Sequence, residues 1–341
     1  MLCSVIILNW NGEAMLRRYL PSVLAHTPKD DIEIVVADNG STDGSVDYVR
    51  TQSVRLVTLD KNYGFAEGYN RAIAQSDAEY VVLLNSDVEV TEGWLARLIA
   101  YMNNHPDVVG VQPKILSWQS KEAFQRGEVR AVRFEHAGAA GGLIDVLGYP
   151  YCRGRMLSYI EEDYGQYDDV ASIFWATGAC LLVRRKVYQE VGGLDGYFFA
   201  HQEEIDWCWR VQCRGYRLAC VPESVVYHLG AGTLSYESPR KTYLNFRNNL
   251  LMLYKNLPTS ILYKVLFVRF FLDYVAAIQM LFSGKVENVK AVWQARRDFR
   301  KARQRYKPIR KANLRAATIA YPDTISRRSI IFDYYVLRRR R

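Results

Sequence analysis

The 341-residue chain contains no Cys-x-x-Cys pair. Its six cysteines (Cys3, Cys152, Cys180, Cys208, Cys213 and Cys220) are scattered, which argues against a zinc site. Several sit in apolar, strand-like runs, where cysteine serves as a small buried hydrophobe, so a reducing compartment is expected. No basic leader precedes the first apolar run, and a signal peptide is not expected. The turn after that run, Asn9-Trp-Asn-Gly12, lacks the Gly-x-Gly-x-x-Gly that a dinucleotide-binding oxidoreductase would carry there. The longest apolar stretch, residues 261–282, is interrupted by Lys264, Arg269 and Asp273. A membrane-crossing helix needs ~20 apolar residues with few charges, so an amphipathic helix, lying on a bilayer surface or packed on the core, is expected instead.

What is present is unevenly placed. The formal net charge is +9, yet residues 284–341 hold 18 Lys and Arg against 4 Asp and Glu, leaving 27 basic against 32 acidic residues in the remainder. The basicity therefore belongs to a C-terminal segment, and the main body is mildly acidic. A basic tail points to a polyanionic partner. It lacks a nucleic-acid-binding motif, so nucleic acid is not the expected partner and anionic lipid headgroups are. The 24 tyrosines and 7 tryptophans suit carbohydrate-stacking or membrane-interface surfaces as well as cores.

Strand and helix patterns alternate from the start to about residue 111. Apolar runs at 3–8, 32–37, 54–59, 80–84 and 108–111 read as strands, and helical spacing at 13–25, 66–74 and 92–102 separates them. Such alternation predicts an α/β fold with a mostly parallel sheet and helices on both faces. The run Tyr80-Val-Val-Leu-Leu-Asn-Ser-Asp-Val-Glu-Val90 is the focus. Its aliphatic part reads as a strand buried on both faces, and Asn85, Ser86 and Asp87 follow at the carboxyl end, where open α/β sheets bind ligands. A carboxylate there can hold a hard cation against a phosphate, although Asn-Ser-Asp is also ordinary turn chemistry. Asn9 to Asn11 and Asp38 to Ser41 close two further strands, and all three exits fall along one edge.

Residues 112–170 are less regular, and glycines 138, 141, 142 and 148 suggest a hairpin or flexible loop. Two short strands are expected around Pro222, with His228 at the exit of the second. Glu203, Glu204 and Asp206 cluster at a helix start. Acids there suit the helix dipole, but three so close repel one another and raise at least one pKa, which makes a general base.

Taken in order, the motifs Ser4-Val-Ile-Ile-Leu-Asn-Trp-Asn-Gly12, Val36-Ala-Asp-Asn-Gly-Ser-Thr-Asp-Gly44, Asn62-Tyr-Gly-Phe-Ala-Glu-Gly-Tyr-Asn70, Leu83-Leu-Asn-Ser-Asp87, Thr177-Gly-Ala179, Val191-Gly-Gly-Leu-Asp-Gly-Tyr-Phe-Phe199, Glu203-Glu-Ile-Asp206 with Arg210, His228 and Arg247-Asn248 resemble the family 2 glycosyltransferases. The likeness is greatest to the non-processive branch that includes bacterial rhamnosyltransferases, and it covers roughly residues 3–255. It implies a GT-A catalytic domain over 1–257, a Rossmann-like nucleotide-diphospho-sugar fold, with an amphipathic and basic helical extension over 258–341. The Gln-x-x-Arg-Trp signature of processive synthases is missing.

The resemblance also implies roles. Asp38 would accept a hydrogen bond from the pyrimidine of a UDP- or dTDP-sugar and Trp10 would stack on the base. Asn9, Asn11, Asn39, Gly64, Phe65, Asn70, Asn85 and Ser86 would complete the nucleotide-sugar site. Asp87 would coordinate Mn²⁺ or Mg²⁺ against the diphosphate, with His228 as a further metal or phosphate contact. Asn85 stands where the family commonly has the first Asp of Asp-x-Asp, and Glu204 stands where it has Asp in its Glu-Asp motif. Glu204 would be the base, with Glu203 as the rival. The acceptor would be a hydroxyl of a cell-surface glycan or lipid-linked molecule. The protein would be cytoplasmic, or peripheral at the inner face of the membrane. A terminal helical pair packed on the core or forming a homodimer competes with membrane docking for the tail, and a binding-only homologue competes with the enzyme.

Overall fold

The computed structural model describes residues 1–230 and 238–340. The alternating first third forms β1 (Cys3–Asn9), α1 (Glu13–His26), β2 (Ile32–Asp38), α2 (Ser45–Arg50), β3 (Arg55–Thr58), α3 (Gly64–Ile73), β4 (Tyr80–Asn85), β5 (Val88–Val90), α4 (Trp94–Asn104) and β6 (Val108–Ser117). Strands β1 and β4 are buried on both faces, as their unbroken aliphatic runs require. β1 pairs in parallel with β2 on one side and β4 on the other, with Asn9 beside Asp38 and Leu8 beside Asn85. The three polar exits are therefore neighbours on one sheet edge.

The chain continues through α5 (Trp118–Gln125), β7 (Gly142–Asp145), β8 (Pro150–Cys152), β9 (Arg155–Met156), β10 (Tyr159–Ile160), β11 (Ala171–Ser172), β12 (Cys180–Arg184), α6 (Arg185–Glu190), α7 (Glu203–Cys213) and β13 (Arg217–His228). The main sheet has the order β11-β13-β6-β12-β4-β1-β2-β3, with β5 on β13. β12 runs antiparallel between β4 and β6, and β13 is parallel to β6. β13 thus points the same way as β4 and delivers His228 to the edge that holds Asn85. It is one strand, not the two expected around Pro222; a register shift between Val221 and Val225 absorbs the proline, the setting in which a strand tolerates one. Residues 142–160, within the stretch expected to be irregular, form an antiparallel meander in a second sheet, β10-β9-β8-β7-β14.

Its last strand comes from the C-terminal segment, which comprises α8 (Pro239–Asn256), α9 (Thr259–Phe282), α10 (Val286–Ala316), β14 (Ile325–Ser326) and α11 (Ile330–Tyr335). This segment is stitched to the body. The Tyr306 hydroxyl reaches Asp195, Thr318 N–H donates to Cys213 O, and β14 pairs with β7, while Arg310 ties α10 to α8 through the Tyr254 carbonyl. Part of the basic run is thereby consumed in packing, since Arg296 and Arg310 are buried. Of the terminal arginines, Arg341 lies outside the described residues.

α9 is inside out. Its buried stripe is Leu262, Val265, Arg269, Asp273 and Ala277, spaced by three and four as one helix face. Arg269 donates to Asp273 and to the carbonyl of Leu147, and Arg296 pairs with Asp273 from α10. Two of the three charges that interrupt the apolar run in sequence thus face the protein. The helix is long and apolar enough to cross a membrane by length and composition.

Candidate active site

The sheet edge is built by loops that bind one another. Asn9 donates from Nδ2 to Asp38 Oδ1 and to Ser41 Oγ, both at 3.2 Å, and Asp38 Oδ2 accepts from Ser41 N–H at 2.9 Å. Asn11, at φ 50°, accepts from Thr42 N–H at 2.7 Å. The first two exits therefore form one unit. Asn9 Oδ1 is buried without a partner, and a side chain at Gly12 would come within 2.4 Å of it, so glycine is needed there. Trp10 stands at the rim, 44% exposed, in a place from which an indole can cover a flat ring.

Four of the residues assigned to the nucleotide-sugar site by resemblance hold the scaffold here. Asn39 gives its amide to Asn62 and the Gly64 carbonyl and accepts from Tyr63 N–H. Gly64, at φ +79°, lies so close to Phe199 that a Cβ would fall 2.7 Å from its carbonyl oxygen. Asn70 accepts from the Tyr188 hydroxyl and Leu194 N–H and donates to Leu194 O, pinning the 191–195 turn. Phe65 donates its N–H to Phe199 O and packs edge-on against Tyr69.

Around Asp87 one imidazole faces two carboxylates. His228 Nε2 lies 3.2 Å from Asp87 Oδ1 and 3.4 Å from Asn85 Nδ2, and its Nδ1 lies 3.3 Å from Glu135 Oε1. Burial works against a charged imidazole, but Asp87 and Glu135 overcome it and push the His228 pKa to about 10. Burial likewise raises Asp87, yet the facing imidazole outweighs it and holds the carboxyl below its ordinary value. Asp87 is thus kept ionised. Ser86 is half-buried on the same edge. No group of three or more His, Cys, Asp or Glu suited to a metal occurs among the described residues. The Asp87 carboxylate still fits Mn²⁺ or Mg²⁺ when a diphosphate supplies further oxygens, since Mg²⁺ is commonly bound through one or two carboxylates plus phosphates; His228, charged as it stands, fits a phosphate oxygen and would join a metal only by giving up its proton. Glu135 had no signal in sequence; it lies in the irregular middle of the chain, and only folding brings it to His228.

The second acidic cluster opens α7. Glu203 is buried and Glu204 partly so, and one oxygen of each has no partner. Burial, then Glu204, drive the Glu203 pKa well above the usual carboxylate range. Burial pushes Glu204 to about 7. Asp206 adds a smaller push to Glu203, as three neighbouring acids should, but its own carboxyl is neutralised in place. Its side chain meets Arg210 at 2.9 Å, Lys255 at 2.8 Å and Asn256 at 2.8 Å. Burial is opposed by Lys255 and Arg210, and its pKa is lowered. Of the three, only Glu203 and Glu204 are pushed upward.

The turn that presents them is strained. Phe199, His201 and Gln202 have φ of 66°, 69° and 74°, a region costing non-glycine residues about 1–3 kcal/mol each. Two adjacent side chains on α8 hold it. Arg247 donates to the carbonyls of Tyr197 and Phe198, and Asn248 donates to those of Phe198, Ala200 and His201. The resemblance contained this Arg-Asn pair but gave it no role.

Comparison with known proteins follows the same outline. The sequence model described as glycosyl transferase family 2 matches residues 4–192. The chain is 27% identical over 237 residues to the N-acetylglucosaminyl-diphospho-decaprenol L-rhamnosyltransferase of Mycobacterium tuberculosis, covering 66% of this chain and 75% of that one. It is 27% identical over 246 residues to the O-antigen biosynthesis protein RfbC of Myxococcus xanthus, covering 70% of this chain but 18% of that protein, and it spans 27% of an uncharacterised Sinorhizobium fredii relative that is 28% identical. Among solved structures, GalNAc-T7 with UDP, GalNAc and Mn²⁺ superposes with a TM-score of 0.58 at 17% identity, over 76% of this chain and 48% of that one. The Pyrobaculum calidifontis mannosyltransferase PcManGT with GDP-Man and Mn²⁺ superposes with a TM-score of 0.52 at 17% identity, over 92% and 85%. The shared fold is GT-A.

Proposed function

Because the chain belongs to glycosyl transferase family 2, we propose that it is an inverting, metal-dependent transferase. It moves a sugar from a UDP- or dTDP-sugar to a hydroxyl of a cell-surface glycan or lipid-linked acceptor. The observation that carries this reading is the division of carboxylates. Asp87 is held ionised beside His228 at the strand exits, while Glu204 is tuned to about 7 at a helix start. One is suited to a cation and the other to a proton.

Asp38 and Asn9 bind the base and Trp10 covers it. Asp87 would hold Mn²⁺ or Mg²⁺, which would neutralise charge on the leaving diphosphate, and His228 would contact a phosphate oxygen in its charged form or the metal after giving up its proton. Glu204 takes the proton from the acceptor hydroxyl. That oxygen attacks the anomeric carbon opposite the nucleotide, the bond to the diphosphate oxygen breaks, and the configuration inverts. Glu203 stays protonated beneath it and limits the negative charge of the pair. The lipid-linked acceptor is suggested by the decaprenol-linked substrate in the mycobacterial relative's name, and residues 258–341 are the part that would meet an anionic membrane.

Nucleotide release tests the reading. With Mn²⁺ and a UDP- or dTDP-sugar, slow hydrolysis without acceptor is expected, and Asp87→Ala should lower it on the order of 10³-fold, the effect of losing several kcal/mol of charge stabilisation. Equal release by wild type and variant would remove the metal role. Calorimetric binding of nucleotide without release from any donor, even with acceptor glycans, would favour a binding-only homologue.

A further inference from the structure

We infer that the outward face of α9, rather than the arginine-rich terminus, is the surface that enters an anionic bilayer. The inference rests on the membrane contact proposed above and assigns it to particular residues.

A helix on a water-facing surface turns its charges outward. α9 does the reverse. Arg269 and Asp273 are buried and paired, while Phe267 (66% exposed), Phe271 (52%) and Phe282 (87%) face out, accompanied by Tyr263, Val275 and Ile278. From Val265 to the end of the helix no charged side chain is exposed, a length of roughly 30 Å. The buried pairing of Arg269, Asp273 and Arg296 means that this face can enter an apolar medium without carrying a charge with it. Its flanks supply the complement. Lys264 lies on the outward side, and Lys290, Trp293 and Arg297 of α10 line a cleft of about 460 Å³ against Tyr274 and Ala277 of α9. An apolar face bordered by cations and aromatic rings matches an interface of acyl chains beneath anionic headgroups. A second copy of the chain is a poorer match. A two-fold contact would set the same patch on itself and bring these cations together.

The experiment uses the full chain and vesicles of phosphatidylcholine with or without phosphatidylglycerol. Wild type should co-sediment with the anionic vesicles. Phe267→Glu with Phe271→Glu should weaken binding at least ~10-fold, since burial of the apolar face carries the affinity. Lys290→Gln with Arg297→Gln should weaken it about 5-fold per cation. Neutralising Arg338, Arg339 and Arg340 to Gln should have a smaller effect. The six native cysteines are all buried, so Phe271→Cys can carry a single polarity-sensitive dye, which should shift to the blue on anionic vesicles. Loss of binding in the terminal-arginine variant with retention in the phenylalanine variant would overturn the α9 assignment and leave the membrane contact standing. No vesicle binding by wild type, together with a dimer in sedimentation equilibrium that the phenylalanine variant abolishes, would overturn both in favour of self-association. Nucleotide release without vesicles, measured on the same proteins, should be unchanged, which separates either failure from failure of the transferase reading and from misfolding.

Discussion

Asp87 and the Glu203–Glu204 pair are built from the same chemical group and meet opposite fates. Both clusters are buried, so desolvation favours the neutral acid in each. At the sheet edge, β13 brings His228 within ion-pair distance of Asp87 and the charge survives. At the start of α7 no cation among the described residues is brought to Glu203 or Glu204, and protons stay on into the neutral range. Asp206, in the same helical turn, shows that α7 could have been neutralised, because Lys255 and Arg210 do so for that residue. Carboxylate function here is decided by what faces the group, and the facing groups come from distant parts of the chain.

The sharpest way to break this contrast is Glu204→Gln. Removing a general base costs about 10²–10⁴-fold in rate, so transfer should fall in that range while calorimetric nucleotide affinity holds. The wild-type kcat/KM should drop as pH falls below about 7, where Glu204 takes up a proton, and this acid limb should be missing from the variant. An unchanged limb would transfer the base role to Glu203. Next in size is Asp206→Ala, which removes the carboxylate shared by buried Lys255 and Arg210, leaving Lys255 with Asp195 and Arg210 with the carbonyls of Val191 and Gly193. Breaking a buried pair costs about 3–5 kcal/mol, read as a lower urea midpoint at unchanged m-value. The smallest effect is Glu203→Gln. The folded-state pKa of Glu203 is above its unfolded value, so its stabilising contribution is present below the unfolded pKa and is lost as pH rises through the folded one. The variant should therefore gain on wild type with rising pH, by roughly 2–4 °C in Tm per kcal/mol, with little difference near pH 4. A constant difference across pH would place Glu203 among ionised groups and dissolve the contrast.

The strand exits were legible in sequence because each is a local pattern, an aliphatic run closed by short polar residues, and the parallel fold aligns them automatically. The glutamate pair was legible for the same reason. The opposing partners were not. Glu135 reaches His228 from a stretch without periodicity, and Lys255 reaches Asp206 from another helix. The antiparallel insertion of β12 between β4 and β6 has no local signature either, because a strand buried on both faces reads alike in either direction. Residues 261–282 were read as amphipathic from composition, but which side held the charges was set by Asn249, the Leu147 carbonyl and Arg296. The motifs that hold Asn39 and Asn70 imply binding roles for them, but here their amides are hydrogen-bonded within the protein.

The grip of Arg247 and Asn248 on four carbonyls of the 197–201 turn has a practical corollary for anyone recombining members of this family. The presentation of both glutamates is written partly in α8, outside the segment that the family's sequence model covers. A chimera joined between α7 and α8 would pair one parent's acids with another parent's staple, whereas a cassette cut before Tyr197 and after Asn256 carries turn, acids and staple as a unit. Crossovers within 112–170 leave that unit whole but exchange Glu135, the partner of His228.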